Sequence, residues 1–158
     1  MKQEAELPLT LFAGPRRDHA DAEDRLLRRC AVQRVAVKPE DLSQCWIEAF
    51  NAGDLDGLVA LYEPQGAVVD PATGQVHIGS AAIRTLLGGI IAMDVTAAAS
   101  IAYCVANGDL CLGRVIWSIK GTGPDGEPFS MEGRSAEVYR RQPDGAWLYA
   151  LDHPTGAD

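Results

Sequence analysis

The chain has 158 residues, of which 22 are acidic and 14 are basic, so its formal net charge is -8 at neutral pH. This length fits one domain with a substantial core rather than two. Proteins that bind nucleic acid or an anionic membrane surface need clustered Lys and Arg, and the basic residues here form only the small groups Arg16-Arg17 and Arg28-Arg29. We therefore expect no nucleic-acid partner, and instead a small apolar molecule or a second copy of the chain.

The sequence also shows no pattern typical of a membrane-spanning segment or a secretory signal. No apolar run reaches the length of a membrane span, and the first residues contain acids where a secretory signal needs a basic and then a strongly apolar segment. These features predict a cytoplasmic protein that does not contact a membrane.

The four cysteines lie at positions 30, 45, 104 and 111, without a CxxC motif or a histidine at ligand spacing. We therefore expect no zinc or other metal site. If Asn107-Gly108 forms the turn of a hairpin, Cys104 faces Cys111 across the strands, either as a disulfide or as two reduced thiols. A cytoplasmic location favours the thiols.

The first 38 residues predict an extension outside the main domain. Residues 1–20 alternate weakly in polarity and predict a partly mobile arm. Apolar residues recur at helical spacing over 21–34, with acids early and arginines late, which predicts a short amphipathic helix. Residues 39–158 then form the folded domain.

Three helices are predicted at the start of this domain. Pro39 opens the first, whose apolar residues follow the helical period until Gly53 ends it. Asp54 caps the second, which is predicted to extend through Tyr62, and Ser80 caps the third, which runs to about residue 93.

A pair of glycines, Gly88-Gly89, interrupts the third predicted helix. Glycine inside a helix costs about 1 kcal/mol relative to alanine. Close approach of a ligand or strand would explain the pair, but a bend or an early end of the helix is the simpler interpretation.

The second half of the chain predicts an antiparallel meander with strands at 98–106, 109–120, 129–141 and 146–153. Helices followed by a meander indicate an α+β fold, with the helices gathered on one face of a curved sheet. Both faces of the first hairpin are apolar, whereas an antiparallel sheet normally exposes one face to water. We therefore expect a homodimer formed through the sheet face.

Segment 66–79 places an acid at the end of a short apolar strand. Residues 67–69 predict a buried strand, and Pro71 excludes the α conformation at Asp70 before the chain turns back. Burial beside apolar surface would raise the pKa of this carboxyl, which suits a general base or acid. The alternative is an aspartate that only forms the turn before proline.

Three segments together carry a resemblance to a known family. They are FNAGDLDGLVALY at 50–62, VVDP at 68–71 and DGAWLYALDH at 144–153. From residue 40 onward the chain resembles the nuclear-transport-factor-two-like superfamily, in its SnoaL-like and ketosteroid-isomerase-like branch. The resemblance implies a conical barrel of one bent sheet closed by three helices, with an apolar pocket between them. Such folds host enzymes and non-catalytic proteins, so function depends on the site.

The resemblance also implies roles for single residues. In ketosteroid isomerases an aspartate base works opposite an oxyanion hole that includes a neutral acid; Asp70 falls on the base and Glu137 on the acid donor. Tyr62 matches a supporting tyrosine, whereas Trp46 and Leu87 replace two tyrosines of the family. Trp46 offers one N–H and no ionisable hydroxyl in place of the family's tyrosine. Loss of one oxyanion-hole donor lowers the rate of such a reaction about 100- to 1000-fold, so we expect steroid isomerisation below the family's efficiency.

Two acids near the end of the chain have competing interpretations. Strand alternation places Glu137 on one face with Ser135 and Tyr139, where it is either a buried pocket acid or the partner of an arginine such as Arg114. Only one of Asp152 and His153 can face the pocket, and alignment on the preceding turn favours Asp152. Further residues predicted to line the pocket are Tyr62, Leu87, Val68, Tyr103, Trp117, Met131, Asp152 and His153.

These observations predict a cofactor-free, dimeric pocket protein that transfers a proton on an apolar carbonyl compound of steroid-like or polyketide-like type. Asp70 would be the base, and Trp46 and Glu137 would stabilise the enolate. The alternative is a non-catalytic ligand-binding or dimerisation module of the same fold.

Overall fold

The computed structural model describes residues 35–122 and 125–158, so the predicted arm and the helix at 21–34 lie outside the described residues. A 3-10 turn, Pro39–Asp41, precedes helix α1, Leu42–Asn51. The remaining elements are α2 Leu55–Ala60, β1 Tyr62–Val69, β2 Val76–Ile78, α3 Ser80–Ile91, β3 Thr96–Asn107, β4 Leu110–Thr122, β5 Pro128–Arg134, β6 Ala136–Arg141 and β7 Trp147–His153. The predicted α+β class is therefore confirmed.

The strands form one curved sheet in the order β2-β1-β7-β6-β4-β3, and β5 pairs with a further length of β4. Only the β1–β7 pair is parallel among the described pairings; the others are antiparallel. The sheet remains open between β2 and β3 rather than closing into a complete barrel. The three helices cover its concave side, with α1 packed against β3 and α3 against β1 and β2.

The buried side of α1 is the one that the helical period predicts, with Leu42, Cys45, Ala49 and Phe50 buried. At its end, the Asn51 side chain donates to the Ala97 carbonyl at 2.8 Å and accepts from the Ala97 N–H at 2.8 Å. These two bonds fix the end of α1 to the start of β3.

Before the predicted domain boundary at residue 39, Ala36 already belongs to the packed structure. It is fully buried and forms an isolated antiparallel bridge to Trp147. The backbone N–H of Trp147 donates to the Ala36 carbonyl at 2.8 Å, so this segment pairs with the first residue of β7.

The second helix begins as predicted but ends earlier. Asp54 caps it by accepting from the Gly57 N–H at 2.8 Å. The predicted extension through Tyr62 is wrong, because the helix ends at Ala60 and Tyr62 begins β1 as the parallel partner of Tyr149. Tyr62 has the spacing of a helical residue, but its pairing with β7 makes it part of a strand.

The third helix begins at Ser80, but its cap is Gly79, which has a φ of 85° and makes no side-chain cap bond. The helix continues through Gly88-Gly89 to Ile91, so the glycine pair does not end it. A Cβ on Gly88 would lie 3.4 Å from a methyl of Leu55, whereas one on Gly89 would meet nothing within 4 Å. Gly88 thus faces helix α2, while Gly89 faces open space.

The register of the first hairpin differs from the predicted one. Asn107 pairs with Leu110, so the two turn residues are Gly108 and Asp109, and Gly108 has a φ of 62°. Glycine with positive φ at the first turn position is what a type II′ turn requires. Cys104 consequently faces Gly113, and the prediction that it faces Cys111 directly is wrong. Both cysteines are free thiols on the same face of the sheet.

The strand predicted at 129–141 is divided at Ser135 into β5 and β6. Ser135 is buried, and its hydroxyl accepts from the Val115 N–H at 2.9 Å. This side-chain bond replaces a ladder bond at the division, so that β4 pairs with β5 and β6 in turn.

One row of apolar residues crosses the convex face of the sheet. Its members are successive cross-strand partners on all strands except β5: Val105, Leu112, Val138, Leu151, Ala67 and Ile78. Val105 and Ile78 are each 62% exposed, and Leu112 and Leu151 are 48% and 45% exposed. The predicted second apolar face is therefore present, and we call it the convex row. Within the described ranges, no helix is long and apolar enough to cross a membrane.

Candidate functional site

A cavity of about 90 Å³ lies between α1, α3 and the concave face of the sheet. Its walls are mostly apolar, and its polar side chains come from a small number of positions on α1, β6 and β7. The helices contribute Ser43, Trp46, Ile47, Leu86, Leu87 and Ile90, and the sheet contributes Val68, Ala97, Ala99, Val115, Trp117, Ile119, Glu137, Tyr149 and Asp152, with Pro71 and Pro154 at strand ends.

Two carboxyl groups enter this cavity side by side. Glu137 on β6 and Asp152 on β7 are direct cross-strand partners. They are only 6% and 7% exposed, and both line the cavity. Side chains at paired positions of an antiparallel ladder lie about 4.5–5.5 Å apart at Cβ, so these acids are immediate neighbours.

Neither carboxyl forms an ion pair with a cation in the described part of the chain. The guanidinium of Arg114 instead donates to the Ala157 carbonyl at 3.0 Å. Arg114 follows Gly113, the cross-strand partner of Glu137, and therefore projects to the opposite face. The predicted Glu137–Arg114 ion pair is wrong, and Glu137 is a pocket acid.

A chain of hydrogen bonds leads from α1 to Asp152. The Trp46 indole N–H donates to the Tyr62 hydroxyl at 2.9 Å, and that hydroxyl donates to Asp152 Oδ2 at 2.7 Å. Trp46 has no second N–H, so in this arrangement it supports Tyr62 rather than offering a donor to a ligand. Its indole also stacks on Phe50 at a centroid distance of 4.9 Å.

Glu137 has a hydroxyl partner of its own. The Tyr139 hydroxyl donates to Glu137 Oε2 in a short hydrogen bond. The Tyr139 ring lies over Gly113, where a Cβ would come within 2.4 Å of the Tyr139 hydroxyl oxygen. Only glycine at position 113 leaves space for this phenol.

Burial changes the ionisation of both acids. Desolvation is the largest cause and the charge of Glu137 the second, and together they raise the pKa of Asp152 to about 8, although the Tyr62 hydrogen bond lowers it. Desolvation also raises the pKa of Glu137, against the effect of its hydroxyl partners. Two adjacent acids in a desolvated site titrate as a pair, which retains a proton near neutral pH. The site therefore contains both a proton donor and a proton acceptor.

Asp70 lies apart from this pair. Its Oδ1 accepts from the Ala72 N–H at 2.8 Å and its Oδ2 accepts from the Thr73 hydroxyl at 2.7 Å. These bonds lower its pKa, with the Thr73 bond as the largest cause, so the predicted rise in pKa is wrong. Pro71 lines the cavity, but the Asp70 carboxyl is engaged in the turn that the alternative interpretation described.

The remaining predicted pocket residues divide into three groups. Val68, Leu87, Trp117 and Asp152 line the cavity, and Trp117 is held by its indole N–H, which donates to the Pro154 carbonyl at 2.7 Å. Tyr62 does not line the cavity itself, but its hydroxyl donates to Asp152, which does.

Tyr103, Met131 and His153 are not brought to the cavity. Tyr103 and Met131 are 42% and 48% exposed. His153 follows Asp152 on β7 and so projects to the other face, where its buried Nδ1 has no hydrogen-bond partner among the described residues. The expectation that Asp152, not His153, faces the pocket is therefore supported by the geometry.

Tyr139 and Tyr149 are site residues that sequence reasoning did not select. Tyr149 lines the cavity between two other tyrosines, with its ring stacked on Tyr62 at 4.9 Å and meeting Tyr139 edge-on at 5.2 Å. Alternation did place Tyr139 on the face of Glu137. Alternation from Asp152 would place Tyr149 on the opposite face of β7. The β6–β7 and β1–β7 pairings are irregular beside Tyr149, and this shift brings it to the same face as Asp152.

The described residues contain no group of three or more His, Cys, Asp or Glu side chains that could hold a metal ion. The chemistry available at the cavity is that of hydroxyl groups, two indoles and two carboxyls, which exchange protons or form hydrogen bonds.

Comparison with known proteins agrees with this architecture. A family model described as the SnoaL-like domain matches residues 44–150. An NTF2-like protein with a cystatin-like fold from Novosphingobium aromaticivorans is 19% identical, with a TM-score of 0.65 over 91% of this chain and 93% of that chain. A ketosteroid isomerase-like protein from Erwinia carotovora atroseptica is 19% identical, with a TM-score of 0.62 over 79% of this chain and 93% of that chain.

A third solved structure, a nuclear transport factor 2 (NTF2-like) superfamily protein from Salmonella enterica serovar Typhimurium, is 14% identical, with a TM-score of 0.62 over 75% of this chain and 90% of that chain. At these identities the likeness concerns the fold alone. Since the family model covers residues 44–150, which is most of the described domain, the chain belongs to the SnoaL-like family.

Proposed function

We propose that this protein transfers a proton on a small, mostly apolar carbonyl compound, with Glu137 and Asp152 as the acid-base pair. The observation that carries the proposal is the placement of two buried, directly opposed carboxyls in an apolar cavity without a cation partner in the described residues. Burying such a pair costs free energy, and pairs of acids with altered pKa values are concentrated at functional sites.

The two acids have different roles in the proposed reaction. Asp152, with a pKa of about 8, carries its proton at neutral pH and donates a hydrogen bond to the carbonyl oxygen. Ionised Glu137 accepts the proton on the carbon next to the carbonyl, and the electrons of that C–H bond move to the oxygen to form an enolate. Return of the proton to the same or another carbon gives exchange or isomerisation, and no cofactor is consumed.

Deuterium exchange tests this proposal without knowledge of the natural substrate. The protein is incubated in D₂O with a panel of enolisable ketones of different sizes, and loss of the α-proton signal is followed by NMR. We expect exchange above the buffer rate, and a decrease of about 100-fold or more in Asp152→Asn and in Glu137→Gln. Matched controls are Asp94→Asn, on an exposed loop residue, and Glu132→Gln, on an exposed residue of β5.

Each outcome decides between the two functions considered. Exchange at wild-type rates in both acid variants would exclude the acid pair as the catalyst. Ketones that bind without exchange in the wild-type protein would instead support a non-catalytic ligand-binding module.

We also propose that the chain forms a homodimer through the convex row. Its cross-strand partners are all apolar, and four of them are at least 45% exposed in the single chain. An apolar row without charge can pair with the same row of a second copy about a two-fold axis, which is the usual symmetry of soluble dimers. Each Å² of apolar surface that the dimer removes from water contributes about 25 cal/mol of favourable free energy.

A further inference from the structure

The hydrogen-bond donors around the cavity are almost all engaged within the protein. The Trp46 N–H donates to Tyr62, the Tyr62 hydroxyl to Asp152, the Tyr139 hydroxyl to Glu137 and the Trp117 N–H to Pro154. Among side chains that line the cavity, only the hydroxyls of Tyr149 and Ser43 form no hydrogen bond with the described residues. A ligand that carries an oxygen would therefore find few free donors.

Tyr149 is the better placed of these two hydroxyls. It is 3% exposed, and it precedes Asp152 on β7 by three residues. Its ring is held between the Tyr62 ring, at 4.9 Å and an interplanar angle of 24°, and the Tyr139 ring, at 5.2 Å and 89°. Aromatic contacts on two sides fix the ring, so little conformational entropy is lost when its hydroxyl binds a ligand.

The surroundings of Tyr149 also determine its protonation state. The pKa of Tyr149 is raised well above its ordinary value, mainly by burial and secondly by the charge of Glu137. The phenol therefore stays protonated and remains a hydrogen-bond donor throughout the neutral pH range. The Tyr149 hydroxyl donates to no group among the described residues, so a ligand oxygen in the cavity could accept its hydrogen bond without breaking a bond within the protein.

We infer that the Tyr149 hydroxyl is the ligand-facing donor of the cavity and binds the carbonyl or phenol oxygen of a compact, otherwise apolar ligand. This assignment deepens the proposed proton transfer and rests on the same cavity. It gives the developing enolate oxygen a second donor besides Asp152, in place of the Trp46 N–H that the sequence suggested.

Ligand binding tests the inference independently of turnover. The probes are 4-nitrophenol, whose absorption reports whether its oxygen carries a proton, and nitrobenzene, which lacks that oxygen. Dissociation constants are measured for the wild-type protein, for Tyr149→Phe and for Ser43→Ala. The matched control is Tyr103→Phe, which removes a hydroxyl from the exposed face of the sheet.

We expect Tyr149→Phe to weaken 4-nitrophenol binding about tenfold to hundredfold, as for a hydrogen bond to a charged oxygen, and to leave nitrobenzene binding unchanged. Retained nitrobenzene binding also shows that the variant is folded. Tyr103→Phe should bind both probes as the wild type does.

Three outcomes would overturn the assignment of Tyr149. They are unchanged 4-nitrophenol binding in Tyr149→Phe, an equal loss for both probes, and a selective loss in Ser43→Ala instead. Failure of the wild-type protein to bind 4-nitrophenol would overturn it as well. Selective binding through Tyr149 together with no deuterium exchange of any ketone would refute the proton-transfer function alone.

Discussion

The carboxyl of Asp152 depends on its surroundings for its properties. It accepts one hydrogen bond from Tyr62 and lies opposite Glu137 in a desolvated wall, so burial and a neighbouring acid outweigh that bond. Asp70 is a partly exposed acid with two hydrogen-bond donors, and its pKa is lowered instead. Identical side chains thus have different protonation states at neutral pH because their solvation differs.

The raised pKa of Asp152 predicts a pH dependence of stability. The folded protein retains a proton at Asp152 up to a pH of about 8, whereas the unfolded chain releases it near the ordinary value of 3.8. The folded state therefore binds more protons in this window, and the free energy of unfolding falls as the pH rises from about 4 to 8. Below this window the contribution is fully present.

Asp152→Asn removes this proton equilibrium, so its thermal unfolding temperature should fall less than that of the wild type between pH 5 and pH 8. We expect a relative gain of about 2 kcal/mol or more at pH 8, since one unit of pKa shift corresponds to about 1.4 kcal/mol. Asp94→Asn makes the same side-chain substitution at an exposed position and is the control, so its pH profile should follow that of the wild type. Parallel pH profiles of all three proteins would contradict the raised pKa.

Asp70→Asn distinguishes the two interpretations of Asp70. The amide oxygen can still accept from the Ala72 N–H, so we expect a small loss of stability and deuterium exchange within about twofold of the wild-type rate, in line with the small effects of most surface substitutions. Ketone exchange measured by NMR is the readout. A loss of exchange comparable to that of Asp152→Asn would return the base to Asp70.

At the scale of elements, glycines mark where strands and side chains approach closely. Gly113 of β4 leaves the space that the Tyr139 ring occupies, and this ring brings its hydroxyl to Glu137. Gly89 of α3, by contrast, meets nothing. The same residue type is therefore required in one element and replaceable in another.

Gly113→Ala should lower the unfolding temperature and displace the Tyr139 phenol, because the new Cβ would lie within 2.6 Å of three ring or hydroxyl atoms. Loss of that hydrogen bond should raise the pKa of Glu137 further, which carboxyl-carbon NMR measures. Gly89→Ala is the matched control and should stabilise the protein by about 0.5–1 kcal/mol. An unchanged Glu137 titration in Gly113→Ala would show that Gly113 does not position Tyr139.

At the scale of the whole molecule, one curved sheet has two apolar faces with different uses. The concave face packs against the helices and forms the cavity, whereas the convex row lies on the surface of the single chain. We expect the row to be covered in solution, because exposed apolar patches that continue across several strands mark interaction surfaces.

Light scattering after gel filtration tests the homodimer directly. We expect a molar mass of twice 16.9 kDa at micromolar concentration and a monomer in Leu112→Asp, which places a charge in the row. Met93→Asp is the control, since Met93 is 50% exposed but lies outside the row. A wild-type mass of 16.9 kDa would refute the dimer.

The sequence by itself determined the class of fold, the inner side of α1, the Asp54 cap and the apolar character of both sheet faces. These features depend on local periodicity and on short-range hydrogen bonds, which neighbouring residues carry. Alternation also placed Glu137 and Tyr139 on a common face. The hairpin register was predicted wrongly, because a difference of one residue in the turn shifts every cross-strand pair.

Only the tertiary structure decided which polar groups share the cavity. Asp152 faces Glu137, and Tyr62 reaches Asp152, through pairings between strands that are distant in the sequence. Asp70 has a distinctive local motif, yet its hydrogen bonds close within its own turn. Burial and partner choice set the chemistry of a carboxyl, and both are properties of the folded chain rather than of its neighbours in sequence.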